Sequence, residues 1–171
     1  MCIGRMFKTW GQGTMDTQTL RRRLIELLDG GPAHPRFDSA VAGFPPDLRD
    51  RTVPSVDGTP RQVIEHMRFS QAEILRNCAD PGRESPADSG HQGSPQDPPD
   101  PGAWDRSIKA YLEDLEALKL LVADPDRDLF APLPRAEDRD LLREILLVAA
   151  HNAYHLGQLV QLRRQLGIWP N

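Results

Sequence analysis

Three histidines carry the chemistry this sequence offers. His151 and His155 stand four apart in His151-Asn152-Ala153-Tyr154-His155. On a helix that spacing stacks two imidazoles on adjacent turns of one face, so both can turn a nitrogen to one divalent ion without disturbing the backbone hydrogen bonds. Glu144, Val148, His151, His155, Leu159, Leu162 and Leu166 recur in steps of three and four, so both histidines occupy positions where the pattern otherwise places hydrophobes. His66, on or beside a second stripe of Val63, Ser70 and Ile74, supplies a third imidazole. Three histidines leave coordination positions for water or substrate. The competing use of a buried histidine is as a hydrogen-bonded core residue, and His66 alone reads that way. Two neutral imidazoles clustered in a core are costly unless each finds a partner.

Polar groups near the histidines have plainer uses beside functional ones. Glu144, about two turns before His151, would orient a ligand or take a proton, or would simply face solvent at a helix start. Tyr154 reads first as a ring packed at a helix contact and second as a proton donor, and Gln158 as a hydrogen-bonding group at a pocket mouth. Gly157 within a long helix costs roughly 1 kcal/mol relative to Ala, a cost that a close backbone or bound group would explain. Arg163 and Arg164 suit the helix dipole as solvated surface, Glu65 points away from His66, and Cys78 reads as a small buried residue. There is no phosphate-binding Gly-rich loop, no CxxC and no HExxH, because Asn152 stands where that motif needs Glu. A metalloprotease is excluded, and the lack of paired E-x-x-H segments argues against a di-iron bundle.

Four helices must position these groups. The first runs from about Met15 to Leu28, with Asp16 or Thr17 as cap, and ends at Asp29-Gly30-Gly31-Pro32. Residues 33–58, with Pro35, Pro45, Pro46 and Pro54, predict a packed crossover with one short helical turn. Thr59-Pro60-Arg61-Gln62 is a capping box with proline at the first helical position, and the second helix ends before Asp80-Pro81-Gly82. Residues 80–102 hold 6 Pro, 4 Gly and 5 acidic residues against one Arg, and predict a mobile surface loop with His91 exposed in it. The third helix spans about Trp104 to Val122 and stops at Asp124-Pro125. The fourth runs from Asp138 or Asp140 to Leu166, with Gly167 as exit and Ile168-Trp169-Pro170 folding back. With no alternating strand pattern, the fold class is all-α, a four-helix bundle.

A length of 171 residues gives one domain, residues 15–171, after a flexible lead-in over 1–14; Met15 is as good a start of translation as Met1. A net charge of −4 supplies no basic surface for nucleic acid or anionic lipid. Two cysteines, and no apolar run long enough for a membrane anchor or signal peptide, make the expected location cytoplasmic.

The segments Thr59-Pro-Arg-Gln-Val-Ile-Glu-His66-Met-Arg and His151-Asn-Ala-Tyr-His155-Leu-Gly-Gln158, continuing to Gly167, resemble the DinB/YfiT-like metal-binding bundle family. The resemblance spans about Met15 to Trp169 and is most specific from His151 to Gln158. It implies an up-down-down-up bundle with long crossover connections, often a homodimer, and one divalent transition metal on His66, His151 and His155: zinc first, with nickel, iron or manganese as other occupants. It further implies a transferase that joins a low-molecular-weight thiol, such as bacillithiol or mycothiol, to a small electrophile. Glu144, Tyr154 and Gln158 are the candidate catalytic residues. A metal-dependent hydrolase and a non-catalytic, stress-associated binding or structural bundle are the other readings. The 80–102 segment departs from the family pattern and bears on the shape of the pocket entrance.

Overall fold

The computed structural model describes residues 16–79, 100, 102–134 and 136–170. The expected lead-in, His91, Cys2 and nearly all of the acidic loop lie outside the described residues.

Local sequence sets the helix boundaries. Helix α1 (Thr17–Leu28) is capped by the Asp16 carboxylate, which accepts from the Gln18 amide at 3.2 Å. A short helix α2 (Phe37–Val41) and a 3-10 turn (Pro46–Leu48) punctuate the crossover, one helical element more than the sequence predicts. Helix α3 (Pro60–Cys78) begins at the expected capping box: Thr59 Oγ1 accepts from the Gln62 amide while Gln62 Oε1 accepts from the Thr59 amide. Helix α4 (Ala103–Ala123) follows. A hairpin of β1 (Pro132–Leu133) and β2 (Ala136–Asp140), antiparallel with an irregular register, leads into helix α5 (Leu141–Gln165). The hairpin is too short to leave a period-two signal, which is why the sequence reads as helix and loop alone. Asp140 ends β2 and caps α5, accepting from the Arg143 amide at 2.8 Å.

The four long helices pack so that α3 and α1 each lie against both α4 and α5. Their apolar stripes meet in one core, with Leu24 and Leu28 of α1, Ile64, Met67 and Leu75 of α3, Tyr111 and Leu118 of α4, and Ile145, Leu159 and Leu162 of α5 buried. Each such side chain contributes about 1.5–3 kcal/mol by leaving water. Buried arginines tie the ends together. Arg21 donates to the carbonyl of Val122 at 2.7 Å and to that of Arg127, satisfying the last turn of α4. Arg163, expected on the solvated surface, is only 5% exposed. Its guanidinium donates to the carbonyls of Ala40 (3.1 Å), Ala42 (2.7 Å) and Ile168 (3.1 Å). The packing of α2 onto α5 creates those acceptors, so nothing in the α5 sequence alone could announce them. Among the described residues no helix is long and apolar enough to cross a membrane.

Candidate metal centre

The α3–α5 seam brings the three histidines together. Its register is fixed by neighbouring contacts: Asn152 Nδ2 donates to Gln71 Oε1 at 3.1 Å, and Cys78 lies within reach of the Glu144 charge. With those pairs in place, His66 of α3 falls opposite the His151–His155 turn of α5. One nitrogen from each ring lies within 4.8 Å of the other two, and Nε2 of His66 is 3.0 Å from Nε2 of His151. Ring centroids are 4.3 to 5.0 Å apart. His66 is exposed and the other two are half-buried, so the cluster sits at the mouth of the seam rather than in its interior.

Two imidazole nitrogens 3.0 Å apart cannot face each other with lone pairs alone; a proton or a cation must lie between them. Burial pushes the His151 imidazole down to about 4, and the adjacent His155 and His66 push the same way. His155 is lowered by burial and by His66, against an opposing hydrogen bond to Gln158. At neutral pH both therefore keep a lone pair, the form that ligates a metal. The Gln158 Oε1 accepts from His155 Nδ1 at 2.7 Å, which places the ring proton on Nδ1 and leaves Nε2 as the donor nitrogen. Gln158 Nε2 in turn lies 3.5 Å from the Tyr154 hydroxyl, and the Tyr154 ring stands edge-on to His155. Tyr154 is 65% exposed, so its ring borders the cluster instead of packing at a helix contact.

Glu144 shares the histidine stripe but sits in another layer. It is fully buried, accepts from Arg143 Nη1 at 2.7 Å and lies 3.7 Å from Arg139. Seven residues before His151, it is roughly 10 Å away along the helix axis. Its neighbour there is Cys78, whose thiol burial pushes up to about 12, with the Glu144 charge adding and Arg127 opposing. The expected solvent-facing option for Glu144 is thereby corrected. Glu65 does face away from the cluster, bonding Arg68 at 2.9 Å and the Ser107 hydroxyl of α4. A Cβ built on Gly157 meets no described atom within 4 Å, so no close approach explains that glycine.

Asn152 is the residue that sequence reasoning passed over. It is 6% exposed and, through Gln71, whose Nε2 donates to the Tyr111 carbonyl at 2.6 Å, links α5 to α3 and α4. Its place on the row Val148, Asn152, Leu156 was the available signal.

A family model described as the DinB superfamily matches residues 18–159 of the chain. No curated protein and no solved structure matches it.

Proposed function

The chain belongs to the DinB superfamily, and from that premise we propose that His66, His151 and His155 hold one divalent transition metal, zinc first, in an enzyme that transfers a low-molecular-weight thiol to a small electrophile. The observation that carries the metal reading is the 3.0 Å approach of two imidazole Nε2 atoms, with a third ring nitrogen inside 4.8 Å. The donor set fits: three imidazoles, two of them held neutral and one oriented by an amide. A divalent ion bound there would lower the pKa of a thiol or water at its open positions.

The chain's own residues then have separable tasks. The three histidines bind, Gln158 fixes the His155 tautomer, and the exposed Tyr154 ring and hydroxyl border the approach to the cluster. In the transfer, the thiol sulfur forms a bond to the electrophilic carbon, the leaving group departs with its electron pair, and the thiol proton passes to solvent. Thiol transfer is favoured over hydrolysis because, among the described residues, no carboxylate joins the cluster to serve as general base for water, and Glu144 lies roughly 10 Å from it along the helix axis. We read the helices as up-down-down-up, supported by Gln71 of α3 meeting Tyr111 of α4 as Glu65 meets Ser107, and by Asp29 at the C-cap of α1 meeting Lys119 of α4 while Arg21 meets Val122. A homodimer and a cytoplasmic location belong to the same proposal.

The test is elemental analysis of the chain purified without added metal or chelator, beside His151→Ala, followed by assay of the loaded protein with a thiol and an alkylating electrophile. Near one equivalent of metal per chain, lost in the variant, with metal-dependent thioether formation, is the expected result. Absence of metal and of binding on titration overturns the reading.

A further inference from the structure

Behind the histidine cluster, a line of amides runs through the core. The main-chain carbonyl of Tyr111 in α4 accepts from Gln71 Nε2 of α3 at 2.6 Å, and Gln71 Oε1 accepts from Asn152 Nδ2 of α5 at 3.1 Å. Both side chains are buried, so bulk water competes for neither amide. Asn152 Oδ1 is buried too, and among the described residues its one hydrogen-bond partner is the ring of the adjacent His151. Nε2 of that ring faces Nε2 of His66 at 3.0 Å, which leaves Nδ1 for Asn152.

We propose that Gln71 and Asn152 are positioning residues that hold His151 as its Nδ1–H tautomer, with Nε2 free for the metal. Direction decides the tautomer. A carbonyl can only accept, so Tyr111 obliges Gln71 to turn its NH2 group that way. Gln71 then has its oxygen left for Asn152, Asn152 gives its NH2 group to that oxygen, and the Asn152 oxygen is left for His151. An acceptor facing Nδ1 keeps the ring proton there. Turning either amide over would set oxygen against oxygen or NH2 against NH2 and leave buried groups unpaired. In the metal-free chain the proton between the two Nε2 atoms then belongs to His66. His155 is oriented differently, by Gln158 one turn along its own helix. His151 is instead tied to α3 and α4, so the helix packing that brings His66 opposite it also prepares its nitrogen. The role rests on the metal reading, whereas the tautomer exists without metal.

The test is long-range nitrogen–proton NMR of the metal-free full chain, isotope-labelled at the histidine rings, at about pH 8, where ordinary imidazoles are neutral. Zinc affinity is measured in parallel by competition against a chromophoric chelator. The His151 signals are those lost in His151→Ala. Wild type should show His151 as the Nδ1–H tautomer. Gln71→Met, which removes both the donor and the acceptor of the middle link, should shift it to Nε2–H or to a mixture and weaken zinc binding by about 10–100-fold. Gln71→Glu, which keeps an oxygen for Asn152 whether or not it is protonated, should retain the tautomer and most of the affinity. Asn152→Leu should behave as Gln71→Met and serves if that variant does not fold. The proposal is overturned by an Nε2–H tautomer in wild type, by an unchanged tautomer in a folded Gln71→Met or Asn152→Leu, or by Gln71→Glu losing as much as Gln71→Met. Because the tautomer is read without metal, a chain that binds no zinc yet keeps this pattern overturns the metal reading and supports the tautomer assignment. Zinc binding with an unchanged tautomer in the variants does the reverse.

Discussion

The Nδ1 of His155 and the Oε1 of Gln158 are 2.7 Å apart, a contact within one helical turn that decides which nitrogen of His155 is free. Gln158→Leu should therefore weaken metal affinity by about 10–100-fold while the helical circular dichroism is unchanged, and Gln158→Glu, which keeps an acceptor, should restore most of it. Competition against a chromophoric chelator reads both. Equal affinity in all three proteins would remove Gln158 from the metal site.

Chelator-stripped protein should gain thermal stability on adding metal. At about 100 times Kd the gain is about 2.7 kcal/mol, which calorimetry resolves easily. His66→Ala, His151→Ala and His155→Ala should each keep the fold and lose the shift, because the histidines sit at the mouth of the seam and not in its packed interior. Unfolding of the variants in the absence of metal would instead make the cluster a structural element.

Acid should destabilise the metal-free protein in a defined window. His151 in the fold stays neutral down to about 4, whereas an unfolded chain takes up its proton near the ordinary imidazole value of 6.5. The unfolded state then binds more protons, so the contribution is fully present above pH 6.5 and is lost as pH falls towards 4. Urea titrations of stripped wild type and His151→Ala should diverge in that window. Parallel curves would show that the folded imidazole titrates normally.

Gly157→Ala should stabilise the protein by up to about 1 kcal/mol, since the glycine costs helix propensity and no described atom lies within 4 Å of the added methyl. A fall in melting temperature would reveal a neighbour at that position, such as a second copy of the chain.

Cys78 should resist iodoacetamide at pH 8, because burial holds its thiol near 12. In a Cys2→Ser background, mass spectrometry should find it unmodified until denaturant is added. Rapid labelling of the folded protein would show that the α3–α5 end opens.

What could be read from the sequence was what depends on neighbours along the chain. Asp16, Thr59 and Asp140 mark helix starts because a cap is a contact over two or three residues, and the His151–His155 pair is visible because its spacing is that of one helical turn. His66 could be placed on a stripe, yet its meeting with His151 depends on how α3 packs on α5. The burial of Arg163 and of Glu144 is not legible in the sequence for a related reason. A charged residue is buried only where another element supplies its partners: for Arg163 these are α2 carbonyls more than a hundred positions earlier, and for Glu144 the added arginine comes from the β2 strand. The two-residue strand β1 was too brief to have a period at all.

The open position of the histidine cluster has a consequence for exchange. A ligand set with one exposed and two half-buried imidazoles gives an ion a short path to solvent, with no packed layer to cross among the described residues. Loading would then be governed by equilibrium with the buffered metal pool around the protein, following the usual affinity order of imidazole sites. The metal found on isolated protein would report its supply as much as its structure, and the same chain drawn from media differing in zinc, nickel or iron would carry different ions on one unchanged scaffold.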